Sequence, residues 1–136
     1  MSVQSILFVC NMNSVRSPMA EAVAKHLLPA GTKIGSCGVY KGAPDPFVAQ
    51  VLREADMSPP SQEPREFGEC DTGNYDLIIA LTPEAAAEAR RFHRNVRFWE
   101  VENPTDTRGS DAEILEAYRR LRDSLVTRIE KDFGAR

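Results

Sequence analysis

Short apolar runs alternate with segments that open on a polar residue followed by proline, and this alternation leaves few folds open. The runs are Ser5–Val9, Lys33–Cys37, Asp76–Leu81 and Val96–Val101. The first and third are nearly continuous in apolar residues, as in strands buried on both faces. Between the runs stand Ser17-Pro18, Asp45-Pro46 and Thr82-Pro83. Each reads as a helix start, in which the polar side chain accepts from a free amide and proline sits where no hydrogen bond is required. The last helix opens on Ser110-Asp111-Ala112-Glu113, the spacing of a capping box. Its apolar residues Ile114, Tyr118, Leu121, Leu125 and Ile129 form one stripe, and Gly134 is placed to end it. Four strands alternating with four helices predict an α/β fold, with a parallel sheet covered by helices on both faces. Such sheets bind ligands beyond the carboxyl ends of their strands. The first strand ends at Cys10.

With 136 residues and 42% hydrophobic content, the chain can build a core, and residues 1–136 are expected to form one domain. The stretch Ser58–Gly73, rich in breakers, reads as a long surface excursion within it. A net charge of −3 with both signs interspersed argues against a nucleic-acid partner. The longest apolar run, Ile6–Cys10, is too short to span a bilayer, and no secretory signal pattern is evident. No membrane association and a cytoplasmic location are therefore expected. Cys10, Cys37 and Cys70 are an odd number without a CxxC pair, which fits a reducing compartment better than a disulfide scaffold. His26 and His93 are too scattered to mark a zinc site. His26 reads as a surface residue and His93 as part of the solvated cationic end of the third helix. No metal and no cofactor are called for.

The segment that carries chemistry is Cys10-Asn11-Met12-Asn13-Ser14-Val15-Arg16-Ser17-Pro18. A buried strand stops, five residues turn, and a helix begins. The amides of Asn11, Met12, Asn13, Ser14 and Val15 can curl into a concave nest, to which the helix adds its positive dipole end. Arg16 can add a planar two-oxygen contact to a phosphate-like group. A thiolate at Cys10 gains from the same positive field, and Ser17 can donate to that sulfur while capping the helix. A thiolate below a bound phosphate is a nucleophile in line for attack.

These residues resemble the low-molecular-weight protein tyrosine phosphatases. The resemblance rests on Cys10-(x5)-Arg16-Ser17-Pro18 near the N-terminus, with Asn13 at the family's loop asparagine and Ala20-Glu21-Ala22 following. It continues through Gly35-Ser36-Cys37-Gly38, Pro44-Asp45-Pro46, Tyr75-Asp76-Leu77-Ile78-Ile79 and the closing helix, nearly the whole chain. It implies a three-layer α/β/α, flavodoxin-like fold with strand order 2-1-3-4. It also implies a two-step phosphatase reaction: Cys10 takes the phosphoryl group and water hydrolyses the phosphocysteine. Arg16 and the loop amides would hold the phosphate oxygens, and Asn13 would brace the loop. The implied partners are a phosphorylated protein or a small aryl phosphate, with inorganic phosphate or sulfate as an occupant of the loop. Oligomeric state is not fixed by these motifs.

Two departures qualify the expectation. The family places its general acid, an aspartate before proline, in a late loop that here reads Glu102-Asn103-Pro104-Thr105-Asp106. Asn103 stands at the acid position, and an amide cannot protonate a leaving oxygen. Asp106 or Glu102 could substitute, the enzyme could be restricted to good leaving groups, or the domain could bind phosphate groups without useful turnover. The pocket wall also differs: Thr105 follows where the family has aromatics, and Tyr40 is the one aromatic candidate in the opposite wall. Thiol-relay arsenate reductases share the fold, but would need two further cysteines near the third strand and its following helix. Cys37 and Cys70 lie elsewhere, and Cys37 reads as core packing.

Overall fold

A computed structural model describes residues 4–134. Its four strands, β1 (Ser5–Cys10), β2 (Lys33–Gly38), β3 (Leu77–Ala80) and β4 (Val96–Phe98), form one parallel sheet in the order β2-β1-β3-β4. The helices are α1 (Arg16–Leu27), α2 (Pro46–Glu54), α3 (Pro83–Arg90) and α4 (Asp111–Phe133). The expected α/β fold and strand order are those observed. β1 is buried along its whole length because it lies at the centre, which explains its unbroken apolar sequence. Its alternate residues feed two cores. Ile6, Phe8 and Cys10 pack with α1, α2 and α4, whereas Leu7 and Val9 pack with Cys37, Ile78 and the alanines of α3. Trp99 is buried just past β4, against Phe8 and Phe133.

The predicted caps meet different fates. Asp45 accepts from the Phe47 amide, Thr82 from the Ala85 amide, and Ser110 with Glu113 completes a capping box. Each such cap contributes ~1 kcal/mol. Gly134 closes α4 in the left-handed region, at φ 60°. The Ser17-Pro18 start is corrected: α1 begins at Arg16, Val15 holds the cap position, and no side chain caps this end. The Ser17 hydroxyl is engaged by Cys10 and Asn13 instead, so the first amides of α1 are left without a capping side chain. The third strand is trimmed to Leu77–Ala80 and the fourth to Val96–Phe98. Residues 58–73 are largely irregular, with a short 3-10 turn at Phe67–Glu69. No helix among the described residues is long and apolar enough to cross a membrane.

Candidate active site

β1 delivers Cys10 to the carboxyl edge of the sheet, and the chain turns through residues 11–15 into α1. The loop faces its carbonyls outward. Val39, Tyr40 and Gly42 donate their amides to the carbonyls of Cys10, Asn11 and Met12 at 3.0, 2.7 and 2.9 Å. Among the described residues, no backbone carbonyl accepts from the amides of Met12, Asn13, Ser14 or Val15. Such a set of free donors beside a helix N-terminus can bind an anion. The crossing segment must approach closely. A Cβ at Gly38 would lie 2.7 Å from the Asn13 nitrogen and 2.8 Å from the Asn11 oxygen, so only glycine fits there.

Asn13 organises the turn from inside. It adopts φ 51°, a left-handed conformation that asparagine tolerates better than most residues, and is 2% exposed. Its Nδ2 donates to Ser17 Oγ at 2.9 Å and Ser36 Oγ at 3.0 Å, and its Oδ1 accepts from the Arg65 amide at 2.9 Å. Ser36 donates onward to Glu21 Oε1 at 2.6 Å, and Lys25 pairs with Glu21 Oε2 at 2.6 Å. Glu21 is 1% exposed, and Gln62 adds a third donor to it. An acceptor-only carboxylate at this end orients the chain of hydrogen bonds: Ser36 must donate to Glu21, so it accepts from Asn13.

Cys10 Sγ lies 3.0 Å from Ser17 Oγ, and the same hydroxyl reaches the Cys37 carbonyl at 3.3 Å. Ser17 has one proton for two acceptors. With a neutral thiol, the S–H donates to Oγ and Ser17 donates to the carbonyl. With a thiolate, the hydroxyl proton turns to sulfur. Ser17 thus serves the sulfur, as the sequence anticipates, but not as a helix cap.

A cavity of about 160 Å³ opens above the sulfur, lined by Cys10, Met12, Ser14, Val15, Arg16, Gly42, Ala43, Asn103 and Thr105. Arg16 is the charged side chain among them. Asn11 and Asn13, expected among the phosphate-binding residues, do not line it; Asn11 Oδ1 accepts from Thr82 Oγ1 at 2.6 Å. Asn103 and Thr105 both line the cavity. Asn103 Oδ1 accepts from the Thr105 amide at 3.2 Å and from Thr105 Oγ1 at 2.7 Å, capping its own turn. Glu102 and Asp106 are exposed and do not line the cavity, and Glu102 sits 3.6 Å from Arg120. Tyr40 does not line it either. Its hydroxyl is held by Glu84 on α3, and that hydrogen bond with the adjacent carboxylate pushes the phenol above its ordinary range. His93, expected at a solvated helix end, ties two segments together: its ring bonds the Tyr75 carbonyl at 2.7 Å and the Asn95 amide at 2.9 Å. No group of His, Cys, Asp and Glu side chains suited to hold a metal ion occurs among the described residues.

Sequence reasoning alone did not assign roles to Ser36, Glu21 or Arg65. Glu21 carried a signal, a charged residue among the alanines of an otherwise apolar helix face.

Cys10 at a strand end, Arg16 and three loop residues thus meet at one cavity. Residues 5–133 match the family model described as low molecular weight phosphotyrosine protein phosphatase, and the chain belongs to that family. An arsenate reductase of Bacillus licheniformis is 29% identical over 133 residues, covering 96% of each chain. A solved arsenate reductase, described as in the phosphate binding state, superposes with a TM-score of 0.80 at 25% identity, covering 98% of both chains. The tyrosine phosphatase Wzb of Escherichia coli K30, solved with sulphate, shares the fold with a TM-score of 0.77 at 22% identity, over 97% of this chain and 99% of that one.

Proposed function

We propose that this chain is a cysteine-dependent phosphomonoester hydrolase acting on aryl phosphates or phosphotyrosine-bearing protein. Cys10 takes the phosphoryl group, Arg16 and the loop amides hold its oxygens, and water hydrolyses the phosphocysteine. The observation that carries this reading is the meeting of Cys10, Arg16, Met12, Ser14 and Val15 at one cavity, with no backbone carbonyl among the described residues accepting from the amides of the last three. Preorganised donors aimed at developing charge are the largest catalytic contribution in such sites. Inorganic phosphate as an occupant is supported by the relative described in a phosphate binding state. Because Asn103 occupies the acid position and no carboxylate lines the cavity, the leaving oxygen departs without a protein proton. Turnover is therefore fast for esters of acidic phenols and slow for phosphotyrosine, and for still poorer leaving groups the domain acts as a phosphate-binding module.

Arsenate reduction is the second reading, favoured by the names of the curated relatives. Arsenate needs two electrons, and an internal relay from Cys10 to Cys37 has the sheet in its way. Val9, not Cys10, lies opposite Cys37, so Cys10 and Cys37 project into different cores. The electrons would come from an external thiol.

One experiment separates the readings. Wild type and Cys10→Ser are assayed on 4-nitrophenyl phosphate and, separately, on arsenate with thioredoxin or glutaredoxin as electron donor. Ester hydrolysis that disappears in Cys10→Ser supports the first reading. Donor oxidation that depends on arsenate, with no ester hydrolysis, replaces it with the second.

A further inference from the structure

Cys37 and Cys70 take no part in the chemistry assigned to the Cys10 cavity. Cys37 is fully buried on β2, the edge strand, in the core shared with α3. Residues 65–70 run along the open side of that strand. The Gly38 amide donates to the Arg65 carbonyl at 2.8 Å, Glu66 forms a parallel bridge with Gly38, and Arg65 Nε donates to the Ser36 carbonyl at 3.1 Å. Cys70 Sγ reaches that same carbonyl at 3.8 Å and packs against the core that holds Cys37. The two side chains share that core, and their thiols interact. One is sealed in the core and the other is half-buried, so they differ in access.

They differ in ionisation as well. The neighbouring Cys37 thiol holds the Cys70 thiol below the ordinary cysteine range, helped by the Arg65 guanidinium and opposed by burial, Glu69 and Glu21. The adjacent Cys70 sulfur, together with burial, pushes Cys37 far up. A partly accessible sulfur that ionises readily, backed by a protonated partner, is the arrangement of an attacking and a resolving thiol.

We propose that Cys37 and Cys70 form a peroxide-oxidisable pair whose product is an intramolecular disulfide. The Cys70 thiolate attacks one oxygen of hydrogen peroxide and the O–O bond breaks. Cys70 becomes a sulfenic acid, and the hydroxide released takes a proton to become water. Cys37 sulfur then attacks the sulfenic sulfur, the S–O bond breaks, and the departing hydroxyl leaves with the Cys37 proton as a second water. Two thiols lose two electrons and one peroxide is reduced to two waters. The disulfide forms beside Arg65, whose amide braces Asn13. The pair's chemistry does not depend on the function proposed for Cys10.

The test uses the Cys10→Ser variant, in which only this pair remains. It is treated with equimolar hydrogen peroxide, alkylated under denaturing conditions, and digested with trypsin. The expected result is loss of both alkylatable thiols, loss of two hydrogens in intact mass, and a reducible link between peptides Ile34–Lys41 and Glu66–Arg90. Adding Cys70→Ser is expected to leave Cys37 unoxidised at the same dose. Wild type is digested in parallel, and the same link is expected there, which guards against misfolding of the variant. Oxygen addition in place of hydrogen loss, a link between two chains, or a link from Cys37 to the Cys10 peptide in wild type would each overturn the proposal. So would two intact thiols at a dose that oxidises wild-type Cys10.

Discussion

Two loops meet at the cavity, and they are built in opposite ways. In the loop of residues 11–15, Asn13 alone is tied to Ser17, Ser36 and Arg65, and the carbonyls of Asn11 and Met12 are held by the segment 39–42. In the loop of residues 102–106, Asn103 bonds only within its own turn, and Glu102 pairs with Arg120 at the surface. The first loop is over-determined by its neighbours, so one residue cannot change without disturbing several. The second leaves its cavity-facing side chain free of outside ties, so its chemistry is set by the identity of a single residue. On the proposed function, binding of an oxyanion and protonation of a leaving group would thus be separable properties.

The sharpest break of the comparison is at Arg16. Arg16→Ala removes the charged donor over the cavity and is expected to lower kcat/KM for 4-nitrophenyl phosphate by ~10²–10³-fold, the typical cost of losing one preorganised donor. A smaller loss would mean that the amides alone hold the oxyanion. Next comes Asn103→Asp, which supplies the missing acid in a turn whose cap an aspartate also satisfies. It is expected to raise hydrolysis of phenyl phosphate by ~10²-fold while changing that of 4-nitrophenyl phosphate little. An unchanged ratio would show that the late loop is not where the proton is lost.

Stability measures the same contrast on a smaller scale. Asn13→Ala is expected to cost ~1–3 kcal/mol in urea unfolding, because it strands buried partners in a left-handed turn. Asn103→Asp is expected to stay within ~0.5 kcal/mol of wild type in the same measurement, as is usual where no outside contact is lost. Equal costs at the two asparagines would erase the distinction between a braced loop and a free one.

Much of this was legible in residue order. The strand alternation, the Asp45, Thr82 and Ser110 caps and the Cys10–Arg16 segment rest on local propensity and spacing, and the structure places each where local physics predicts. Ser17 shows where such reasoning stops. Its position before proline reads as a cap, yet a buried sulfur and a buried amide compete for its hydroxyl, and they lie close only in the folded state. Tyr40 is similar: nothing local announces that Glu84, on a distant helix, holds its hydroxyl away from the cavity.

The sequence by itself determined the parallel α/β class and the family, because apolar period, proline-marked helix starts and a short strand–loop–helix motif are properties of neighbouring residues. Only the tertiary structure decided that Glu21, Ser36 and Asn13 form one buried chain behind Cys10. It also decided that Cys37 meets Cys70 across a strand edge while facing away from Cys10. Those relations follow from which strand lies at the edge and which sheet face a side chain takes, and both are set when distant segments pair.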